Sequence, residues 1–466
     1  MKLFYKFSTL SLVLLVSGCM VGPDYHRPSQ PLPLAFKEAK GWQQAQPQDS
    51  EQKGEWWQVY QDPQLNQLLS QVALSNQNVA MYEAQYRQAL ALTDQATANL
   101  YPTLTGTEQS TRSSSSASGQ RALRNSHSAQ LNASWELDLW GKLRRQAAED
   151  RASAQSSQAD LANATLSAQS TLAQDYFQLR IMDQRIALYQ KSIEAYQGYL
   201  RIVNNKYQAG SENRATVAQA EMQLQGARSS LLGLSWQRAQ LEHAIALLIG
   251  KTPAEFSLAP APLTATLPRI PVMVPSRLLQ RRPDIAVAER SMAAANEAIG
   301  VAIAGYFPDL TLSASAGTSA STLHNLFSLP YRVWSLGPEL SGTILDFGAT
   351  KASVAQARAA YDAQVANYRQ TVLTAMQEVE DNLVELNTLD EEIAAQRASA
   401  QAALTSAQVT RNQYDAGMID YLDVATTENS RLGEQQSLLQ LQSQQWVSSV
   451  ALIASLGGGW QSPGTQ

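Results

Sequence analysis

The residues whose types could do chemistry are few in this chain, and they lie far apart. There is one cysteine, Cys19, and the four histidines lack the spacing of metal ligands. Residues 250–252, Gly-Lys-Thr, have the types that end a phosphate-binding loop, but Ile245 stands where that loop requires glycine. The acids between Glu378 and Asp381 fit a solvated helix face or a tunnel lining, because catalytic carboxylates would need a pocket that the sequence does not indicate. We expect no enzyme, no metal site and no internal disulfide.

The composition argues against ordinary soluble domains and against a nucleic-acid partner. Of 466 residues, 44% are hydrophobic and only 16% are charged, which is below the roughly 25% usual in soluble domains. The net charge of -5 is spread along the chain and gives no basic stripe that a phosphate backbone could follow. Nucleic-acid binding is therefore set aside.

The first residues carry signals for export and lipid attachment. Two lysines precede an apolar run, residues 10–16, and two small residues lead to Cys19, as in a secretory signal peptide. Residues 16–19, Val-Ser-Gly-Cys, also match the bacterial lipobox, in which the cysteine carries a diacylglycerol and an N-acyl chain. Met20 replaces the aspartate that favours inner-membrane retention, so we expect an outer-membrane lipoprotein. The alternative is a buried cysteine after an ordinary signal peptide.

The chain contains an internal duplication with an offset of about 207 residues. Three glycines in each half have the same spacing, 69 and then 40 residues: Gly141, Gly210 and Gly250, and then Gly348, Gly417 and Gly457. Each half should therefore be one structural unit.

A period of two in each half predicts four β-strands in two hairpins, with tips in the Ser-rich run 113–119 and near 320–331. The alternation is strict in residues 128–139, 310–317 and 334–344, and weak in 103–110. One apolar and one polar face suit strands between lipid and water, and they also suit a soluble sandwich. Four strands cannot close a membrane barrel alone, so copies of the chain would have to pool their strands.

Long helices are predicted in the two proline-free segments 141–210 and 348–417. A seven-residue repeat in the second segment indicates a left-handed coiled-coil seam. Its members are Val365, Val372, Val379, Leu386, Ile393, Ala400 and Ala407, with Met376, Leu383 and Leu404 on the same face. Return helices are expected at about 215–248 and 422–456, after glycine turns, and shorter helices at about 63–100 and 284–305 precede the strands.

Five motifs in order resemble the outer-membrane factors of tripartite efflux and secretion systems, TolC-like proteins, in the lipoprotein branch called NodT-type. The motifs are residues 18–28, Gly-Cys-Met-Val-Gly-Pro-Asp-Tyr-His-Arg-Pro; 135–142, Trp-Glu-Leu-Asp-Leu-Trp-Gly-Lys; 281–285, Arg-Arg-Pro-Asp-Ile; 306–310, Tyr-Phe-Pro-Asp-Leu; and 456–460, Leu-Gly-Gly-Gly-Trp. The resemblance implies a mixed α and β membrane protein, a homotrimer with a twelve-stranded transmembrane β-barrel, four strands per chain, continuous with a periplasmic α-helical coiled-coil barrel. It also implies two partners, a periplasmic membrane-fusion adaptor and an inner-membrane pump of the proton-driven resistance-nodulation-division type.

The chemistry expected of such a protein is that of a channel, with pore width, rings of charge and a gate. In the family, acids just beyond the tip glycine form rings that constrict the periplasmic end. Asp423 matches the first acid position, whereas the second position is Thr426, which implies a weaker constriction. The other gate candidates are Arg411, Tyr414, Asp420 and Tyr421, with Glu212 and Arg214 as partners at the first tip and Gly210 and Gly417 at the two tip turns. The alternative is that these residues are exposed at the tips and touch only the adaptor.

The expected organisation is a signal peptide, a strap, two repeats and a linker between them. The signal peptide is expected at 1–18, the lipid-anchored strap at 19–60, a Pro-rich equatorial linker at 253–275 and the tail at 458–466. Repeat 1 is expected at 61–252, with a β-hairpin at 103–139 and a helical hairpin at 141–250. Repeat 2 is expected at 276–457, with a β-hairpin at 309–346 and a helical hairpin at 348–457. The pair Trp56-Trp57 in the strap is expected to pack on the helices, with ligand stacking as the alternative.

The expected function is a passive exit duct for small toxic compounds. Two alternatives stay open at this point, a duct for protein secretion and a non-channel coiled-coil lipoprotein that acts as a tether or adhesin. The alternating strands argue against the tether. The cargo cannot be read from the chain, because neither a methionine cluster nor a histidine ladder points to a metal.

Overall fold

A computed structural model describes residues 20–28, 33, 35–39, 55–117, 120–268, 270, 275 and 281–458. The expected signal peptide 1–18, Cys19 and residues 459–466 lie outside the described residues. The chain forms two compact units, and each of them draws on both halves of the sequence. Unit 1 comprises Met1–Gln30, Ala84–Ala159 and Ala286–Thr371, and unit 2 comprises Pro31–Glu83, Asp160–Ile285 and Val372–Gln466.

Seven α-helices account for most of the described residues. They are α1 (Pro63–Ser75), α2 (Gln77–Ala98), α3 (Lys142–Gln208), α4 (Arg214–Leu248), α5 (Pro283–Ala304), α6 (Ala349–Asp415) and α7 (Tyr421–Ser455). The duplication is visible in their lengths, because α3 and α6 each have 67 residues and α4 and α7 each have 35. At ~1.5 Å per residue, α3 and α6 are each about 100 Å long.

The helix expected at about 63–100 is wrong as a single element, since it is broken at Asn76 into α1 and α2. The Asn76 side-chain oxygen accepts hydrogen bonds from the backbone N–H groups of Asn78 (2.9 Å) and Val79 (3.1 Å) and so caps α2. Its amide nitrogen donates to the carbonyl of Leu248 (2.8 Å). The break therefore attaches the start of α2 to the end of α4.

The four strands form one antiparallel sheet in the order β1 (Thr103–Ala117), β2 (Gln120–Leu137), β3 (Asp309–Ala320) and β4 (Arg332–Ser341). The register places the apolar residues of β2 beside those of β3 and β4. One row across the sheet holds Leu131, Ala316 and Trp334, and another holds Leu137, Leu310 and Leu340. One face is thus apolar, as the alternation predicts, and most of its large side chains are exposed in the single chain, Trp334 at 79%.

The seam predicted on α6 is buried along most of its length, from Val372 (1% exposed) to Ala407 (2%). Val365 and Met376 are half-buried. Leu404, the remaining companion on that face, is 37% exposed in the single chain. Near this end of α6 the small side chains of Ala400 and Ala407 are buried, at 6% and 2% exposed.

Among the residues that the structure describes, none of the helices has both the length and the apolar character needed to cross a membrane.

Candidate functional site

The turn between α6 and α7, at Gly417, carries the principal gate candidates. Gly417 has φ +73, a left-handed conformation that suits glycine because it has no Cβ. Asp423 and Thr426 follow on the first turns of α7, and both are exposed. The Thr426 hydroxyl donates to the carbonyl of Leu422 (2.8 Å). The Asp423 carboxylate has no hydrogen-bond or ion-pair partner within the described part of the chain, so its charge is free to face solvent or another copy.

The corresponding turn between α3 and α4, at Gly210, is more completely hydrogen-bonded. Asn213 caps α4, since its side-chain oxygen accepts from the N–H of Thr216 (3.0 Å). Glu212 accepts from the Thr216 hydroxyl (2.9 Å), and Arg214 is exposed. At the second tip Asp420 occupies the same N-cap position, but its side chain makes no capping hydrogen bond. The acid at the second tip is therefore available for other partners.

Tyr414 and Tyr421 join the two helical hairpins of one chain. Tyr421 is 1% exposed, and its hydroxyl donates to Gln223 Oε1 on α4 (3.0 Å). The Tyr414 and Tyr421 ring centroids are 6.2 Å apart, and Tyr199 on α3 lies 6.1 Å from Tyr421. Burial raises the pKa of Tyr421 above its ordinary value, so the hydroxyl keeps its proton and remains a donor.

Two cations lie over the rings of this tyrosine cluster. Lys206 Nζ is 4.1 Å from the Tyr414 ring centroid, and Arg411 Cζ is 5.6 Å from that of Tyr199. Each pairs a residue of one hairpin with a residue of the other, so the cation–π contacts add to the junction that the tyrosines make. Arg411 is thus brought together with Tyr414 and Tyr421, whereas Asp423 and Thr426 lie on an exposed face.

A buried acid, Glu428 on α7, is a residue that the sequence reasoning missed. It is 7% exposed and accepts from Arg431 Nε (2.7 Å) and from the Tyr199 hydroxyl (3.5 Å). Tyr196 donates to Asn429 in the same region (3.2 Å). The signal for the first contact was present, because an acid and an arginine three residues apart lie on one helix face. The contacts with α3 had no such local signal.

The first described residues of the chain are held by one buried arginine. Arg145, 1% exposed, donates through Nε to the carbonyl of Val21 (3.1 Å) and through Nη2 to Gly22 O (3.2 Å) and Asp24 Oδ1 (3.1 Å). Its Nη1 donates to Glu297 Oε2 on α5 (2.7 Å). We call these residues the Arg145 socket. It fixes the segment that directly follows Cys19 against the start of α3.

Contacts beside the Arg145 socket bring three of the five motifs together. Val21 N–H donates to the carbonyl of Trp140 (3.0 Å), at the end of the second motif. Trp140 Nε1 in turn donates to Pro308 O (2.9 Å), and its ring stacks on Phe307 with centroids 4.5 Å apart. The motifs at 18–28, 135–142 and 306–310 therefore meet beside the ends of the strands in unit 1.

The other two motifs meet in unit 2. Arg282 Nη1 donates to the carbonyl of Ser455 (3.0 Å) and to Glu378 Oε2 (2.7 Å), and its Nη2 pairs with Asp284 (2.6 Å). A Cβ on Gly457 would lie 2.8 Å from the carbonyl of Arg281, so only glycine fits there. Arg282 thus fastens the start of α5 to the end of α7, as Asn76 fastens α2 to α4.

The tryptophan pair of the strap packs on the helices, as predicted. Trp56 is 3% exposed and Trp57 is 4% exposed, and their rings meet edge to face at 5.7 Å. Trp56 Nε1 donates to Gln169 Oε1 on α3 (3.3 Å). Both indoles are enclosed by protein, so the structure supports packing rather than ligand stacking.

The start of the proline-rich linker is held by charged residues of α3 and α4. Asp183, with 4% of its side chain exposed, accepts from Arg180 (3.2 Å), Arg238 (2.6 Å) and the N–H of Ala261 (3.2 Å). Glu242 accepts from the N–H of Leu258 (2.7 Å). The linker therefore lies against these helices, and its position depends on buried charge pairs.

Two long helical hairpins and a four-stranded sheet with one exposed apolar face define the class of membrane channel proteins. The chain belongs to the outer membrane efflux protein family, whose model matches residues 68–251 and 274–458.

Relatives of known sequence and structure match nearly the whole chain. The cation efflux system protein CusC of Escherichia coli O6:H1 is 29% identical over 459 residues, covering 98% of this chain and 99% of the relative. The pyoverdine export outer membrane protein OpmQ of Pseudomonas aeruginosa is 31% identical over 471 residues, covering 98% and 97%. The structure of the outer-membrane channel OprN has a TM-score of 0.88 and 30% identity, and it covers 95% of this chain and 100% of that one. The open state of the Neisseria gonorrhoeae MtrE outer membrane channel has a TM-score of 0.85 and 26% identity, covering 95% and 98%.

These findings confirm the family resemblance, the fold class and the expected location. The chain is an outer-membrane efflux channel, with four strands per chain and an internal duplication. Its relatives are channel and efflux proteins. The roles of the individual tip residues stay predictions.

Proposed function

We propose that this channel is a homotrimer that conducts small toxic compounds passively to the outside, and that it hydrolyses nothing itself. The observation that carries the proposal is the four-stranded sheet, whose outer strands β1 and β4 each have an unpaired edge within the described sheet. Unpaired edges at membrane depth are costly, and about eight strands are the fewest that close a membrane barrel. Three copies would supply twelve strands and pair every edge.

The proposed gate is the ring of second tips, with Asp423 of each copy near the axis. Three uncompensated carboxylates close together would repel one another and attract cations. Two observations support this assignment: Asp423 is exposed, and the side chain of the N-cap residue Asp420 makes no capping hydrogen bond. Thr426 is uncharged, so it cannot form a second ring of charge. The tyrosine cluster would keep the two hairpins of each chain together while the tips separate.

The proposed partners are a periplasmic adaptor and an inner-membrane pump of the resistance-nodulation-division type. Support comes from relatives that are named as parts of efflux systems, among them CusC and a toluene efflux pump protein, TtgC of Pseudomonas putida. The cargoes in these names differ, since they are cations, toluene and pyoverdine. A wide duct whose pump selects the cargo accounts for that variety.

The lipid anchor is part of the proposal. Acyl chains on Cys19 would attach directly before Met20, which packs on Gly141 beside the end of β2. Support comes from the lipobox and from the probable outer membrane lipoprotein SilC of Salmonella typhimurium, a relative 26% identical over 459 residues. Several acyl chains anchor far more firmly than one. The mass of the intact mature chain tests this, and Cys19→Ser should abolish the added mass while trimers still form.

The test of the duct is single-channel conductance of the purified protein in a planar bilayer, with its mass measured in the same detergent. A trimer with stable openings supports the duct. A monomer that shows no conductance and stays on the membrane only through its lipid would contradict the duct and would support a function as a tether.

A further inference from the structure

The two hairpin ends carry mainly basic charge. Residues 108–129 and 317–333 contain four arginines, Arg112, Arg121, Arg124 and Arg332, and one acid, although 40 of the chain's 466 residues are acidic. The acid is Glu108, which lies in the same row of the sheet as Arg332. The net charge of the whole chain conceals this local excess. Such a one-sided distribution calls for a partner of opposite charge.

The register places two of these arginines on the apolar face of the sheet. Trp334 stands in the row of Leu131 and Ala316, and Arg332 follows two residues further along β4, on the same face. Two rows beyond Arg332, Arg112 on β1 is paired with Asn125. Both arginine side chains are exposed, and neither has a hydrogen-bond or ion-pair partner among the residues that the structure describes.

Arg124 provides an internal comparison, because it lies on the opposite face of the same hairpin. It pairs with Ser113, and this pair is adjacent in the register to the pair of Arg112 and Asn125. Side chains alternate along a strand, so Arg124 shares the polar face with the threonines and serines of β1. Arg124 is exposed as well. The hairpin thus carries arginines on both faces, and only one face continues into the apolar surface.

The apolar face lies at the depth of the lipid chains in an outer-membrane channel, and Trp334 is the outermost tryptophan of the described strands. Beyond Trp334 on this face the described strands carry one large apolar side chain, Leu123, which pairs with Ser114. Tryptophan is typical of the border between lipid chains and headgroups. The helices join the sheet at the other end, where β2 leads to α3 and β4 leads to α6, so the hairpin ends point away from the periplasm. Arg332 lies ~7 Å beyond Trp334 along the strand, and Arg112 lies further out. This is the level of the outer headgroups.

We propose that Arg112 and Arg332 bind the phosphate groups of phosphorylated lipids in the outer leaflet. Guanidinium groups present paired N–H donors that match two phosphate oxygens. The hydroxyl group of Ser114, on the same face as Arg112, adds a donor at the same level. The channel would thereby recognise the lipid around it and fix its depth in the membrane. The inference rests on the sheet spanning the outer membrane.

The test uses the purified full-length protein and two probes, diphosphorylated lipid A and its dephosphorylated form. Retention of each lipid is measured by native mass spectrometry for the wild type and for Arg112→Gln, Arg332→Gln and the double variant, with Arg124→Gln as the matched control. We expect retention of the phosphorylated lipid to fall about fivefold for each arginine removed from the apolar face. Arg124→Gln and the dephosphorylated lipid should show no such change.

Three results would overturn the proposal. Equal retention in all variants would show that the arginines do not contact the lipid. An equal fall of retention in Arg124→Gln would show that the change in net charge, not the position of the arginine, controls lipid binding. Displacement of the lipid by millimolar inorganic phosphate would assign the arginines to a free anion instead. Insertion of every variant into vesicles is measured separately, so that a sheet that does not span the membrane is recognised as a different failure.

Discussion

Nε of Arg238 lies 2.6 Å from Oδ1 of Asp183, and the residues at the same positions of the second repeat are Gln445 and Asp390. Each residue of the second pair lies 207 residues after its counterpart in the first pair. The Gln445 amide donates to Asp390 (2.5 Å), and that contact is exposed. The duplicated position has thus kept its acid and its geometry, while only the first repeat has a buried ion pair that also holds the linker.

Arg238→Gln, which copies the second repeat into the first, should lower the thermal stability of the protein. Asp183 would keep Arg180 as a partner but lose its shortest contact, so the expected cost is about 1–3 kcal/mol. Gln445→Ala should cost less than about 0.5 kcal/mol, because its contact with Asp390 is exposed. The melting temperatures of both variants in one detergent provide the comparison, and equal losses would contradict a special role of the first-repeat pair.

Arg145→Met should loosen the segment that follows the lipid-bearing cysteine. Three acceptors on residues 21–24 lose their donor, and Glu297 is left without its partner. Hydrogen exchange of the Val21 amide, which donates to Trp140, should become at least about tenfold faster.

A glycine pair supplies a matched control for the Arg145 socket. Gly141→Ala and Gly348→Ala both place a side chain at positive φ, +79 and +95. Only the first also collides with a neighbour, since its Cβ would lie 2.5 Å from Met20 Cγ, whereas nothing lies near Gly348. The Val21 amide should respond to Gly141→Ala alone. A response of the same size to Gly348→Ala would mean that backbone strain, not the socket, controls the segment.

Tyr421→Phe should weaken the junction between the two helical hairpins. It removes the donor to Gln223 and leaves a buried acceptor unpaired, at a cost of about 1–2 kcal/mol. Tyr207→Phe, at a tyrosine that is 39% exposed, is the control and should be nearly neutral. Thermal unfolding measures both variants, and a neutral Tyr421→Phe would show that ring packing alone holds the junction.

Asp175 on α3 should make stability depend on pH. Burial raises the pKa of its carboxyl from 3.8 to about 6, so the folded state binds a proton that the unfolded state has already released. Stability should therefore fall as pH rises from about 4 to about 6, and Asp175→Asn should recover about 1 kcal/mol at pH 7 after allowance for partial exposure.

The melting temperature of Asp175→Asn between pH 4 and pH 8 checks this. Its gain over the wild type should shrink towards pH 4, where the folded wild type is protonated and the unfolded carboxyl begins to take up a proton. Asp362→Asn, at an exposed acid on α6, is the control. A gain that is the same at every pH would assign the effect to something other than the titration of Asp175.

Periodicity in the sequence predicts the parts of the fold that depend on local pattern. The alternation around Leu131 and Leu137 predicts a strand with one apolar face. The seven-residue repeat from Val372 to Ala407 predicts the buried seam, because one repeating contact is made along a whole element. Asn76 also had a local signal, as a preferred N-cap residue. The prediction joined α1 and α2 because the apolar pattern continues across that cap.

The Arg145 socket and the contact of Glu428 with Tyr199 had no such signal. Arg145 meets Val21, 124 residues away, and Glu428 meets Tyr199, 229 residues away. These contacts depend on how distant elements pack, and a single sequence does not encode that packing as a period. For the same reason the sequence predicts Tyr421 only as a gate candidate, and its burial and its partner Gln223 became clear only from the structure.

The most direct test of the gated duct is the reversal potential of single channels under a salt gradient, for the wild type and for Asp423→Ala. Three carboxylates at the constriction should make the wild type prefer cations, and their removal should lower the ratio of cation to anion permeability several-fold without closing the channel. Thr426→Ala, at an uncharged neighbour, should leave the ratio unchanged. An unaltered ratio in Asp423→Ala would contradict the gate, and a wild-type protein without channels would contradict the duct itself.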